Sequence, residues 1–199
     1  MPFEFPVISA DSHITEPPDC YTANIDPAFR DRAPHIVTDE RRGDLFVVPG
    51  MKNPIAIGLI AAAGKRPEEL SETGVRFEEM YRSGWDPTAR VADQQRDGVA
   101  AEVIYPSVGM LLCNHPDVDY KRACFQAYNR WIAEYCAADP TRLLGCGQTA
   151  LRSVDEGIAD LEEIAAAGLR GVMMPGAPGT EQDYDDPIRD PFLEAAVDL

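Results

Sequence analysis

Asp11-Ser12-His13 closes a short apolar run, Phe5-Pro6-Val7-Ile8-Ser9-Ala10, near the start of the chain. In an extended strand, residues two apart face the same way, so Asp11 and His13 project together while Ser12 turns to the opposite side. A carboxylate and an imidazole side by side at a strand end are suited to holding a divalent metal. A lone Asp-x-His is also a common turn or surface pair. Its weight here comes from its place at the end of the first apolar strand. Pro17-Pro18 forbid a helix directly afterwards, which leaves Glu16 on a loop at the strand mouth. There it reads either as a partner that orients His13 or as a solvated carboxylate. Tyr105, before Pro106-Ser107 at the end of another apolar run, reads as a pocket wall or as packing. His115, before Pro116, reads as a substrate contact or as an exposed loop histidine.

Four apolar runs supply the strands that must carry these groups, over 7–11, 101–106, 143–151 and 169–175. Between the second and third, Cys124, Tyr128, Trp131, Ile132, Tyr135 and Cys136 recur at three- and four-residue spacing, the stripe of a buried helix. Asp117 or Asp119 could cap its start, and Asp139-Pro140 ends it. The third and fourth strands are joined by a helix with a capping-box start at Ser153-Val154-Asp155-Glu156 and a glycine stop at Gly168. A further helix opens at Asp86-Pro87 and closes at Gly98, just ahead of the second strand. Met173, Met174 and Trp131 read as core. Gly176, Pro178 and Gly179 form a loop without phosphate-binding spacing.

Strands alternating with helices predict a parallel α/β sheet with right-handed crossovers. Residues 14–85 do not fit one crossover. Rich in Pro, Gly and charge, with a short helix expected near 67–81, they read as an elaborated first β-to-α excursion over the strand mouths. Asp190-Pro191 opens one more helix, over 192–199. Four strands cannot close a barrel, so the expectation is an open half-barrel with free edges.

Composition narrows the function classes. The 199 residues are 45% hydrophobic and 26% charged, ordinary for one globular domain. A net charge of −16 argues against nucleic-acid binding, since Lys and Arg against phosphates supply most of that affinity. No apolar run reaches membrane-spanning length and no signal-peptide pattern is present, so no membrane partner is expected. Five cysteines without a Cys-x-x-Cys suggest reduced thiols in a cytoplasmic protein.

The succession Asp-Ser-His-x-x-Glu-Pro, Asp86-Pro87, Asp97-Gly98-Val99, Tyr105-Pro106, Asn129-Arg130-Trp131 and Gly171-Val172 resembles the amidohydrolase-related family. It is most similar to the subgroup of aminocarboxymuconate-semialdehyde and resorcylate-type decarboxylases. The resemblance spans nearly all 199 residues. It implies a metal-dependent (β/α)8 TIM-barrel type with about the first four β/α units present, residues 1–199 forming the N-terminal half of one domain. It also implies Asp11 and His13 as metal ligands, with a later His and Asp, beyond Leu199, completing the site. The metal would be zinc, or manganese. The activity implied is non-oxidative decarboxylation of a small unsaturated or aromatic carboxylic acid. Alternatives are metal-dependent hydrolysis of an amide, ester or lactone, and a non-catalytic half-barrel lacking the remaining ligands. The full-length protein is expected to be a homo-oligomer.

Overall fold

The computed structural model describes residues 5–60, 62–176 and 183–199. Pro178 and Gly179 lie outside the described residues. Strand β1 (Val7–His13) runs through the Asp11-Ser12-His13 triplet. The excursion that follows starts with a short helix α1 (Cys20–Asn24) and then forms an antiparallel sheet of β2 (His35–Asp39), β3 (Gly43–Val47) and β4 (Ile55–Ala56). This second sheet was not expected from the sequence. Gly43 makes it possible: it holds φ +82°, and a Cβ there would meet the Val75 backbone at 2.4 Å, so only glycine fits the turn. The helix expected near 67–81 is instead two separate 3₁₀ turns, Pro67–Glu69 and Phe77–Glu79. A Glu side chain closes each by accepting the N–H of Arg66 or Arg76, and the chain between them is non-helical.

Helix α2 (Pro87–Asp97) begins where Asp86 accepts the Thr88 and Ala89 amides and ends at Gly98 with φ +71°, the left-handed stop glycine favours. Strand β5 (Val99–Tyr105) leads to a short helix α3 (Val108–Leu112) and then to α4 (Val118–Cys136), capped by Asp117 on the Tyr120 amide. Strand β6 (Leu143–Gln148), α5 (Val154–Ala166) capped by Ser153, β7 (Gly171–Met173) and α6 (Asp190–Asp198) complete the order.

Strands β1, β5, β6 and β7 form one curled parallel sheet in that order, the half-barrel of a (β/α) fold. Helices α2, α4 and α5 pack against β5, β6 and β7. The helix-facing side is dry: Ile104 and Leu143 pack with Ile132, Tyr128 and Phe125, and Phe46, Val48 and Ile55 of the excursion join the same core. Gly145 and Gly147 of β6 permit this approach, since a Cβ would strike Cys136 or Ile164. Trp131 is only partly buried at the rim of this core, as are Met173 and Met174 of the fourth strand run. The opposite face carries Asp11, His13 and Tyr105, none of them fully buried.

The β1–β5 ladder carries one irregularity. Ser9 pairs with Glu102 and Ser12 with Ile104, so three steps on β1 match two on β5. This is a β-bulge at Ala10-Asp11. Ser9 and Ser12 therefore face the same side and share a hydrogen bond, with Ser12 donating to Glu102. Among the described residues no helix is long and apolar enough to cross a membrane.

Candidate metal centre

The structure brings Asp11 and His13 together: Nε2 of His13 lies 3.2 Å from Oδ1 of Asp11. The other ring nitrogen, Nδ1, lies 2.9 Å from the Pro106 carbonyl oxygen. A carbonyl only accepts, so Nδ1 carries the proton. In its neutral form the ring turns the bare lone pair of Nε2 toward a carboxylate oxygen, which also only accepts. Two acceptors at that distance need a cation or a proton between them. Zinc holds nitrogen and oxygen ligands at about 2.0–2.2 Å, which at the tetrahedral angle separates two ligand atoms by about 3.3 Å. The observed 3.2 Å matches that separation, and it equally matches a hydrogen bond with the proton between the two atoms. The pair is open to solvent, with side-chain exposures of 81% for Asp11 and 38% for His13. Among the described residues no cluster of three or more metal-ligating side chains occurs.

Glu16 is neither solvated nor bonded to His13. It is 0% exposed, and its Oε1 accepts the backbone N–H of Ser107 at 3.0 Å and of Gly109 at 3.1 Å. Burial pushes its carboxyl above the usual range, opposed by these amides at the start of α3. Its second oxygen, Oε2, has no hydrogen-bond partner. The hydroxyl of Ser107 donates to Ile14 O at 2.6 Å, and Ile14 N donates to Tyr105 O. The ends of β1 and β5 are therefore laced together next to the Asp11–His13 pair.

Tyr105 stands opposite His13 across the ladder, ring centroids 5.9 Å apart. Its phenol is pushed up first by charge repulsion from the neighbouring Cys146 and then by desolvation; burial likewise raises the Cys146 thiol. His115 is 3% exposed, contrary to the exposed-loop expectation. Its Nε2–H donates to Pro49 O at 2.9 Å, and its Nδ1 accepts the Asp117 N–H at 3.1 Å. With the ring 4.6 Å from Tyr120, both nitrogens are committed to backbone and the residue fastens the excursion to α4. Pro49 before Gly50 was no signal of this, because the contact is made by a carbonyl.

On the helix-facing side, Arg90 links the same strands. Its Nε donates to Glu102 at 2.6 Å and its Nη1 to His13 O at 2.9 Å. Although desolvation opposes it, the Arg90 contact holds the Glu102 carboxyl below its usual range. His13 borders a cleft of about 820 Å³ whose walls include Ile14, Thr15, Ile55, Tyr81 and Met110. Sequence reasoning missed Pro106 and Cys146. The first acts through its carbonyl, which residue type does not encode, and the second becomes a neighbour of Tyr105 only through the β5–β6 register.

Comparison with known proteins places the fold. The Amidohydrolase family model matches residues 11–199. A search of curated proteins found no match. Among solved structures, an amidohydrolase from Mycobacterium avium subsp. paratuberculosis K-10 superposes with TM-score 0.72 at 20% identity, covering 95% of this chain and 55% of that one. The 5-carboxyvanillate decarboxylase of Novosphingobium aromaticivorans DSM 12444, complexed with manganese and 4-hydroxy-3-methoxy-5-nitrobenzoic acid, gives 0.56 at 17% identity, covering 98% and 48%. That of Sphingomonas paucimobilis gives 0.51 at 18%, covering 97% and 49%. The chain spans about half the length of these structures.

Proposed function

We propose that this chain, which belongs to the amidohydrolase family, contributes Asp11 and His13 to a divalent-metal centre for the non-oxidative decarboxylation of a small aromatic or unsaturated carboxylic acid. The observation that carries the reading is the facing of two lone-pair donors, Nε2 and Oδ1, at 3.2 Å. The residues fit a metal by chemistry as well as by spacing. One hard oxygen and one borderline nitrogen suit zinc or manganese alike, and the hydrogen bond from Nδ1 to a carbonyl is the usual way such a ligand is aimed.

A bound metal would supply Lewis-acid anchoring of a carboxylate or phenolate oxygen. The rest falls to protein groups. His13 stays fixed in the Nδ1–H tautomer by Pro106, and Asp11 brings the negative charge that offsets the ion. Two protein ligands leave coordination positions open for other donors and for substrate. Tyr105 keeps its proton at neutral pH and stands beside His13 on the sheet. The carboxylated aromatic substrate class is supported by the decarboxylases among the similar structures.

The test combines binding and turnover. Titration with Zn²⁺ and Mn²⁺ should give binding that His13→Gln and Asp11→Asn each weaken. Hydroxylated benzoates and unsaturated acids should release CO2, whereas amides, esters and lactones should not be cleaved. Hydrolysis without CO2 release would replace the lyase reading with a hydrolase at the same centre. Metal binding indifferent to both variants would remove the centre itself.

A further inference from the structure

The amide that Glu16 holds and the carbonyl that His13 holds belong to one peptide group. Pro106 C=O accepts from His13 Nδ1–H at 2.9 Å, and the Ser107 N–H on the same unit donates to Glu16 Oε1 at 3.0 Å. A trans peptide is planar and its two polar ends point in opposite directions, so fixing one end fixes the other. We propose that Glu16 is a positioning residue for the metal centre, aiming His13 through the Pro106–Ser107 peptide. The arrangement is a carboxylate–imidazole pair of the kind that orients metal-binding histidines, with one peptide plane inserted between the two.

Three further observations favour this over simple capping of α3. The carboxyl lies three residues from His13 on the same chain and is fully buried, so its position is set by β1 rather than by solvent. It makes a second bond to Gly109 N at 3.1 Å, which prevents the turn from rotating about the first. Ser107 Oγ closes the loop onto Ile14 O at 2.6 Å, so the segment 13–16 and the segment 106–109 are joined at four points. Polar groups linked in series also polarise one another, which makes the Pro106 oxygen a better acceptor. Oε1 can accept in either protonation state of Glu16, so the geometry does not depend on its charge.

The inference rests on His13 being a metal ligand, yet its first readout needs no metal. Long-range ¹⁵N–¹H spectra of the metal-free protein, which has three histidines, report the tautomer of each ring. His13 should be in the Nδ1–H form, with His115 in the Nε2–H form as an internal reference. A wild-type His13 in the Nε2–H form would overturn the proposal without any variant. Glu16→Met, close in volume but without an acceptor, should leave His13 a mixture of tautomers and weaken Mn²⁺ binding about 10- to 100-fold. Glu16→Gln, which keeps an acceptor at Oε1, should restore the tautomer and bring the affinity back to within about threefold. A purely structural carboxylate predicts lower thermal stability in Glu16→Met with the His13 tautomer and Mn²⁺ affinity unmoved, and that result refutes the relay. So does a Glu16→Gln protein that loses the tautomer as Glu16→Met does. His13→Gln is the separate control. If it leaves Mn²⁺ binding intact, the metal reading falls while the tautomer result stands.

Discussion

His13 is the last residue of β1 and His115 lies between α3 and α4, beyond β5, and each is held by a proline carbonyl. What differs is the second nitrogen. In His115 it accepts an N–H from the backbone, and the ring is sealed against Tyr120. In His13 it faces a carboxylate and solvent. An imidazole with both nitrogens committed to the backbone is a rivet between segments; one with a nitrogen left over against an acceptor is available to a cation. The contrast cannot be drawn from residue type, since both histidines lie in polar, proline-flanked segments.

The sharpest way to break this comparison is to remove each ring in turn. His13→Gln should lower Zn²⁺ or Mn²⁺ affinity by about 100-fold or more, since a ligand is lost rather than its support, with little change in the urea midpoint; calorimetric titration and denaturation read the two effects. His115→Ala should do the reverse. It strands a buried carbonyl and amide and opens a cavity, at a cost of about 2–4 kcal/mol, while metal titration stays as in the wild type. Gly50→Ala probes the rivet from its other side. A Cβ there would lie 2.5 Å from His115 Nε2 on a residue with φ +96°, so a loss of about 1–3 kcal/mol is expected in urea unfolding.

The smallest effect concerns pH and the buried carboxyl beneath His13. Burial raises the Glu16 pKa from its ordinary 4.5, so the folded state favours the neutral form. The sign follows: its favourable contribution is full below about 4.5 and is lost as pH rises through the raised value. Relative to Glu16→Gln, which does not titrate, the wild type should therefore lose stability on going from acid toward neutral pH. A difference that instead grows in favour of the wild type would reverse the sign.

The sequence was most legible where the signal is local. Asp86, Gly98, Asp117 and Ser153 are where the helix-boundary rules put them, because caps and stops act within three or four residues. The parallel strands were readable as apolar runs for the same reason, although β1 has no buried residue and the third and fourth end earlier than their apolar stretches, at Gln148 and Met173. The excursion was not legible. Its sheet depends on Gly43 meeting the Val75 backbone, 32 residues on, and its pairing runs through a charged Glu40-Arg41-Arg42 turn that carries no hairpin glycine pair. Helix α3 escaped notice because it is five residues long, and Glu16 finds its role only once β5 delivers the Ser107 and Gly109 amides. At the site, the spacing of Asp11 and His13 was readable as a shared face. The orientation of the ring was not, because a peptide carbonyl sets it.

The bulge in β1 has a mechanical consequence for the two proposed ligands. Ser12 and His13 have partners in the ladder with β5, whereas Ala10 and Asp11 are the residues the register skips. His13 is thus anchored to the sheet and Asp11 rides on slack chain. A carboxylate mounted in that way would be free to adjust to a bound cation while the imidazole keeps its bearing. The asymmetry should be visible without any ion. In hydrogen–deuterium exchange, the amides around Asp11 should turn over well ahead of that of Ile14, which donates to Tyr105 O at 3.1 Å.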